Sequence, residues 1–471
     1  MCLLWLILPE NSSPYAAGRA HLYSYEWEQA ARAFNEALKI NPNQAMAYVG
    51  LSYAYAELDD PAAARAALQK AKPLNEQERR HIEIRKAQMA AEDAPHDSAK
   101  LAAYRKSLDD ALKAFPSDED LWLQRGIAES PDPADRGQGS GATSIPFYQQ
   151  ALKLAPNDFA PHHLLAHAFE NSGNIEEALK QATEYARLAP NTPHALHMRG
   201  HELRRTGHID EAIAEFEKAN IPAEHDWHYH HNLDLLASSY QYRGEMTKAE
   251  EVFKRSFSIP SHLAVQEFNK REWPEFLLAR KRLEEARAAA KQMMEHSSPL
   301  IRATGYIESG RSMLADGRFK EAADAANAAL RELKSASDGQ ALVATAFEEL
   351  QGEFFLRTGQ REKGRTMLDQ VIQKLRAAPG PDEWSQALFT LEAIAEAARE
   401  AGDWEYAGRV AKEMLAHDQY YGGTHYALAL SAEHAGDVKA ARVESELAKK
   451  YWSKADANLP ELRVADRLMG R

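Results

Sequence analysis

Histidines are concentrated in the middle of this chain. Eleven of its 19 histidines lie within residues 162–231, a 70-residue window in which even spreading would place about three (19 × 70/471). His163 and His167 are four residues apart, as are His197 and His201. On a helix, this spacing places both side chains of a pair on one face. Paired imidazoles of this kind are typical ligands of first-row transition metals.

The same histidines also allow a metal-free interpretation. Imidazoles that line a binding surface can stack on a peptide, hold a carboxylate, or remain solvated and titrate near neutral pH. If a metal is bound, zinc, copper, nickel and iron all suit imidazole. The candidate ligands are His163, His167, His197, His201, His231 and Asp234. A zinc-protease motif is not formed, because Leu164 and Met198 stand where its catalytic glutamate would be.

The two histidine pairs occupy equivalent places in an internal repeat. Residues 159–192 and the segment that starts at Pro193 share a glycine, an alanine five positions later and the run G-x-I-x-E-A, with a period of 34 residues. This period is typical of a helix-turn-helix unit that buries its apolar faces only by stacking on its neighbours. Glycine–alanine pairs with the same spacing recur at Gly173/Ala178, Gly207/Ala212, Gly244/Ala249, Gly317/Ala322, Gly402/Ala407 and Gly436/Ala441.

With these motifs the chain resembles the tetratricopeptide repeat (TPR) family over residues 11–456. The segment His194–Ala212 is similar to bacterial members with histidine-rich central repeats. The resemblance implies an all-α, right-handed α-solenoid of about 11–12 TPR helix-turn-helix units with a C-terminal capping helix. It also implies a scaffold that binds a protein segment or a small ligand in its concave groove.

The repeat register predicts a domain layout. The predicted parts are an N-terminal segment at 1–10 (a cap or the remnant of a signal), N-terminal repeats at 11–158 with a Gly/Pro-rich insertion at 130–144, central His-rich repeats at 159–263, C-terminal repeats at 264–456 and a capping helix at 457–471. The insertion contains G-Q-G-S-G-A. Because this run lies between helices and does not follow a strand, we expect a solvated loop and no dinucleotide site.

Charged residues form a second candidate surface. The resemblance places the second, fifth, ninth, twelfth and thirteenth residues of each unit in the groove. The carboxylates at such positions are Glu170, Glu349, Glu353, Glu392 and Glu396. Like charges four residues apart repel on a helix. They therefore indicate a cationic partner, a neighbouring arginine such as Arg311 or Arg399, or simply a solvated acidic face.

Composition limits the function classes. The net charge of −13 and the isoelectric point near 5.8 argue against a general nucleic-acid binder. A single cysteine, Cys2, excludes internal disulfides, and no apolar stretch reaches membrane-spanning length. We therefore expect a scaffold with a protein or peptide partner, and a metal-binding protein or metal-dependent enzyme as the alternative. We expect it in the cytoplasm, or exported if residues 1–10 are a truncated signal.

Overall fold

The computed structural model describes residues 13–222, 227–261, 264–337, 339–378 and 381–470. Every regular element in these ranges is an α-helix, so the all-α prediction is confirmed. The predicted segment 1–10 lies outside the described residues. The chain divides into two compact units, residues 1–206 and 207–471, and the boundary falls inside the predicted central His-rich part.

The first unit is a series of helix pairs. Its helices in the described residues are α1 (Pro14–Tyr23), α2 (Trp27–Ile40), α3 (Ala45–Glu57), α4 (Pro61–Lys70), α5 (Glu76–Glu92), α6 (Ser98–Ala114), α7 (Glu119–Ile127), α8 (Ile145–Leu154), α9 (Ala160–Asn171), α10 (Ile175–Leu188) and α11 (Pro193–Arg205). Consecutive helices pack against one another, and the odd-numbered helices α1, α3 and α5 also contact each other in turn. This is the stacking expected of an α-solenoid.

The first unit also closes on itself, because α1 contacts α9. Arg19 on α1 donates to Asp120 at 2.9 Å and to Asp158 at 2.5 Å, two carboxylates that lie more than 100 residues away in sequence. The Tyr23 hydroxyl donates to Asp120 at 3.1 Å. In an open solenoid each repeat contacts only its neighbours. Here the closure brings the turn after α1 onto α9.

The second unit continues the pairing. Its helices in the described residues are α12 (Ile209–Ala219), α13 (Trp227–Arg243), α14 (Met246–Ser258), α15 (Ala264–Asn269), α16 (Glu272–Ala279), α17 (Leu283–Met294), α18 (Pro299–Ala315), α19 (Phe319–Ser335), α20 (Gln340–Arg357), α21 (Arg361–Ala377), α22 (Pro381–Glu400), α23 (Trp404–His417), α24 (Gly422–His434), α25 (Val438–Tyr451) and α26 (Pro460–Met469). No helix of the described ranges has the length and apolarity needed to cross a membrane.

The second unit is closed as well, since α13 contacts both α22 and α24. The Trp452 indole N–H donates to the Tyr242 carbonyl at 3.2 Å, and the Asp456 N–H donates to the Gly244 carbonyl at 3.1 Å. A Cβ on Gly244 would lie 2.6 Å from the Cβ of Ala455, so only glycine permits this approach. The start and the end of the unit therefore share one apolar core.

Local sequence sets the helix ends. Asn174 and Asp403 each begin a helix, and their side chains accept a hydrogen bond from the backbone N–H three residues on. The preceding turns contain Gly173 and Gly402, with φ of 78° and 71°, a left-handed conformation that residues with a Cβ avoid. The glycine of the predicted glycine–alanine motif is therefore a turn residue. The alanine, such as Ala178, is fully buried in the following helix.

The insertion at 130–144 differs from the prediction of a solvated loop. Ser140 is buried and lies 2.6 Å from the Tyr148 hydroxyl. Arg136 forms ion pairs with Glu57 and Glu92 at 2.7 and 2.9 Å. These polar partners dock the loop onto the first unit, and the prediction failed because Glu57 and Glu92 lie far from the loop in sequence.

Gly126 on α7 allows the ring of Tyr148 to pack closely against the helix, and this contact gives a test of the fold. A Cβ at Gly126 would lie 2.3 Å from the ring of Tyr148, which is fully buried. We expect Gly126→Ala to lower the free energy of unfolding by about 1–3 kcal/mol through overpacking. Gly141→Ala is the control, because nothing lies within 4 Å of its added Cβ. Equal urea midpoints for the two variants would contradict this packing.

Candidate functional site

Closure of the first unit places three imidazoles together. His163 and His167 lie on α9 and His194 lies on α11, and all three side chains are buried. The Nε2 atom of His163 is 3.1 Å from Nε2 of His167 and 2.9 Å from Nε2 of His194. One ligand atom from each of the three residues lies within 4.8 Å of the other two. Three nitrogens therefore converge on one point inside the unit.

The orientation of His163 is fixed from the opposite side of its ring. Its Nδ1 lies 2.7 Å from the backbone carbonyl oxygen of Tyr23, the last residue of α1. A carbonyl oxygen only accepts, so Nδ1 must carry the proton and donate it. In the neutral ring, Nε2 then presents its lone pair to the other two histidines. In metal sites, the ring N–H of a bound histidine often donates to a backbone carbonyl in this way.

Tyr25 packs against the same cluster. Its ring centroid is 4.7 Å from that of His163 and 5.0 Å from that of His194. The Tyr25 hydroxyl donates to the Arg136 carbonyl at 3.0 Å. The aromatic ring thus covers the imidazoles, and the docked insertion anchors the ring.

His197 and His201 form a separate pair on α11. Their Nε2 atoms are 2.8 Å apart, and the His197 ring centroid lies 5.8 Å from that of His194. Nδ1 of His201 is 3.8 Å from Glu170, which also accepts a hydrogen bond from Arg205 at 3.0 Å. Burial alone would raise the pKa of Glu170, but the charges of His201 and Arg205 hold it at about 2. Glu170 is thus a buried ion-pair partner inside the unit.

The remaining predicted ligands belong to the second unit. Asp234 is buried on α13 and accepts a hydrogen bond from the Ser256 hydroxyl at 2.5 Å. His231 is partly buried on the same helix, with its ring 5.7 Å from that of Trp227.

The predicted acidic pairs lie in the second unit: Glu349 and Glu353 on α20, and Glu392 and Glu396 on α22. Arg311 forms ion pairs with the first of these pairs. Arg311 is buried on α18 and lies 2.8 Å from Glu349 and 3.3 Å from Glu353, both on α20. Glu275 is 3.2 Å away and Glu308 is 3.7 Å away. Arg311 thus faces four carboxyl groups, of which Glu275 also lies 3.5 Å from Arg271. Arg311 is the neighbouring arginine that the like-charge spacing of Glu349 and Glu353 indicated.

Protons complete the charge balance in this cluster. Burial raises the pKa of Glu349 to about 8, against the attraction of Arg311 and with added repulsion from Glu353. Burial and the charge of Glu275 also raise the pKa of Glu308 well above its ordinary value. Near neutral pH, the folded cluster therefore holds at least one carboxyl in its protonated form.

A cavity of about 130 Å³ lies within the second unit beside this cluster. Its aromatic lining includes Phe276, Phe389, Tyr421 and Tyr426. Two cations at its edge are engaged by carboxylates: Arg280 pairs with Glu461, and Lys281 pairs with Glu396 at 2.8 Å and with Glu400 at 2.6 Å. Arg399, the other arginine that the sequence indicated, also lines the cavity and forms no ion pair within the described residues. The cavity therefore combines apolar rings with charged groups that are mostly compensated.

Glu392 differs from the other lining carboxylates. In the described residues its hydrogen-bond donor is the Tyr421 hydroxyl, at 2.8 Å, and no lysine or arginine nitrogen lies within ion-pair distance. Burial raises the pKa of Glu392 to about 7; the charges of Glu396 and Glu461 add to this, while the Tyr421 hydrogen bond and Arg280 oppose it. Glu392 thus has no ion-pair partner among the described residues. Gly423 leaves space for the Glu392 carboxyl, because a Cβ on residue 423 would lie 2.5 Å from the Glu392 Oε1 atom.

The imidazole cluster contains one histidine and one backbone contact that the sequence did not predict. His163 and His167 do come together, but the third imidazole is His194, which was not among the candidate ligands. His194 is three residues before His197, a spacing that also shares a helix face and that could have revealed it. The Tyr23 carbonyl has no sequence signal, because any residue supplies a backbone oxygen.

Known families match parts of the chain. Three models described as tetratricopeptide repeat match residues 15–78, 147–180 and 193–220. No curated protein matches the chain at a significant level.

The solved structures that match this chain share little sequence with it. A tetratricopeptide repeat protein from Parabacteroides merdae is 17% identical, over 56% of this chain and 98% of that chain, with a TM-score of 0.38. A monomeric mutant of IFIT1 with Gppp-AAAA is 12% identical, over 93% and 91%, with a TM-score of 0.39. Yeast Tom70 is 13% identical, over 97% and 94%, with a TM-score of 0.36. These values carry no inference about ligands.

The family matches agree with the structure of the repeats. Helix pairs joined by a left-handed turn residue recur through both units: Tyr25, Asp59 and Gly173 take this conformation in the first unit, and the second unit uses mostly glycine. The turn glycines Gly173 and Gly207 are separated by the 34-residue period. The fold supports a protein-binding or scaffold role. The chain is a tetratricopeptide repeat protein.

Proposed function

We propose that this protein is a scaffold whose second unit holds a polypeptide partner by inserting one lysine or arginine side chain of the partner beside Glu392. The observation that carries the proposal is the Glu392 carboxyl, which lines an aromatic cavity without a cationic partner in the described residues. A buried carboxylate without a counter-ion is costly, and a cationic ligand would remove this cost.

The cavity walls suit such a side chain. Phe389 and Tyr426 line the same cavity as the carboxyl, and the Tyr421 hydroxyl donates to it. Aromatic rings attract a guanidinium or ammonium group through their π-faces, and they also cover the apolar stem of a long side chain. Charge complementarity and aromatic lining therefore favour the same occupant.

Cavity size favours one side chain over a free small molecule. Pockets for drug-sized ligands usually measure about 300–1,000 Å³, whereas this cavity measures about 130 Å³. A single side chain needs less room, and the backbone of its peptide can remain outside. We therefore expect the partner to be a peptide segment, in line with the protein-binding role of the fold.

Peptide binding provides the test. An array of short peptides with a central lysine, arginine, norleucine or glutamate is probed with the full-length protein, and the tightest binders are measured by fluorescence anisotropy. We expect selection for lysine or arginine. In Glu392→Gln, loss of a charge-assisted hydrogen bond worth about 1.5–3 kcal/mol should weaken binding roughly 10- to 100-fold.

Glu362→Gln is the matched control. This glutamate lies on the same unit, and its side chain is 91% exposed, so its removal should leave affinity unchanged. Gly423→Ala should weaken binding as well, because the added Cβ collides with Glu392. The proposal fails if the array shows no preference for cationic side chains, or if Glu392→Gln binds as tightly as Glu362→Gln.

A further inference from the structure

The three converging imidazoles of the first unit have a chemistry that peptide binding does not explain. His163, His167 and His194 come from two helices and meet through their Nε2 atoms in the unit interior. We propose that they form a binding site for one divalent first-row transition metal ion, with zinc and copper(II) as its chemical class. The proposal is independent of the cavity in the second unit.

The distances are close to those of an ion site. Imidazole nitrogens bind zinc at about 2.0–2.1 Å, so two nitrogens of a tetrahedral site lie about 3.3 Å apart. The two measured Nε2–Nε2 separations are 3.1 and 2.9 Å. If the three rings moved apart by a few tenths of an ångström, an ion would fit between their Nε2 atoms. Three histidines also leave a fourth coordination position for water or another small ligand.

The protonation state of His163 agrees with a ligand role. Because its Nδ1 donates to the Tyr23 carbonyl, its Nε2 atom is the metal-binding nitrogen. The same contact ties the C-terminal end of α1 to α9. An ion held here would therefore link the two ends of the closed first unit through His163, in addition to joining α9 with α11.

The donor set narrows the choice of metal. Three neutral nitrogens without a thiolate suit zinc, copper(II), nickel and iron(II), and binding strength in this series rises to copper(II). Calcium and magnesium prefer oxygen ligands and are disfavoured. All three histidines are at most 5% exposed. This burial indicates that the ion braces the fold.

Metal titration tests the site directly. The full-length protein is stripped with a chelator and titrated with zinc and with copper(II) by competition against a chromophoric chelator, with thermal unfolding recorded in parallel. We expect His167→Gln and His194→Gln each to bind one ion fewer per chain than wild type, or to bind that ion at least about tenfold more weakly. The melting temperature of wild type should rise with metal, and that of the variants should rise less.

His96→Gln is the control, because His96 is an exposed histidine of the same unit; it should bind as wild type does. If a variant proves unfolded by circular dichroism, the wild-type cobalt(II) spectrum decides. Intense visible bands of a four- or five-coordinate nitrogen site support the proposal, and the spectrum of the hydrated ion overturns it. Equal metal content and equal affinity in wild type and both folded site variants would also overturn it.

Discussion

Arg311→Ala is expected to lower the free energy of unfolding by about 3–5 kcal/mol, because it leaves buried carboxylates without their cation. Arg311 is 3% exposed and lies between Glu349 and Glu353, with Glu275 at 3.2 Å. Chemical denaturation followed by tryptophan fluorescence measures the loss. Because repeat proteins can unfold in parts, hydrogen exchange along α18 and α20 should localise the effect.

Arg318→Ala serves as the control for Arg311→Ala. Its pair with Glu321 is solvent-exposed, and solvent screening leaves exposed ion pairs with little effect on stability. Adding Glu353→Gln to Arg311→Ala should restore part of the lost stability, since it removes a buried carboxyl that has lost its cation. A loss for Arg311→Ala no larger than for Arg318→Ala would contradict the buried cluster.

The second large effect is a fall in stability as the pH rises. The pKa of Glu349 is raised from 4.5 to about 8 in the folded protein. Between these values the folded state keeps a proton that the unfolded state releases, so the free energy of unfolding decreases with rising pH. The stabilisation that Glu349 provides through its bound proton is complete below about pH 4.5 and absent above about pH 8. For this single group, the free energy of unfolding falls by at most about 1.4 kcal/mol per pH unit.

Comparing wild type with Glu349→Gln isolates this contribution. Glutamine does not titrate, so the stability difference between the two proteins should change steadily from pH 5 to pH 8 and then level off. Glu308, whose pKa is also raised, remains in both proteins. A constant difference across this range would show that Glu349 is not protonated in the fold.

The repeats could be predicted because their signals are local. The spacing between Gly173 and Ala178 encodes a turn and a buried helix position within five residues, and His163 and His167 share a helix face through the same periodicity. These features follow from helix geometry alone.

Closure of each unit could not be predicted in this way. The contact between Trp452 and Tyr242 joins residues 210 positions apart, and Arg19 meets Asp158 across 139 positions. Neither pair has a periodic signature. The closure of the first unit nevertheless helps to build the proposed metal site, because it brings the Tyr23 carbonyl to His163. In the second unit, closure brings Tyr421 and Phe276 to one cavity.

Proton release on peptide binding tests the central claim about Glu392 most directly. With a pKa of about 7, Glu392 is about half protonated at pH 7 in the free protein. A lysine or arginine side chain beside it would favour the ionised form. Calorimetric titration in buffers of different ionisation enthalpy should therefore show the release of about half a proton per lysine peptide bound at pH 7. Release should disappear in Glu392→Gln and persist in Glu362→Gln. Binding of the lysine peptide without proton release in wild type, or with the same release in Glu392→Gln, would contradict the account.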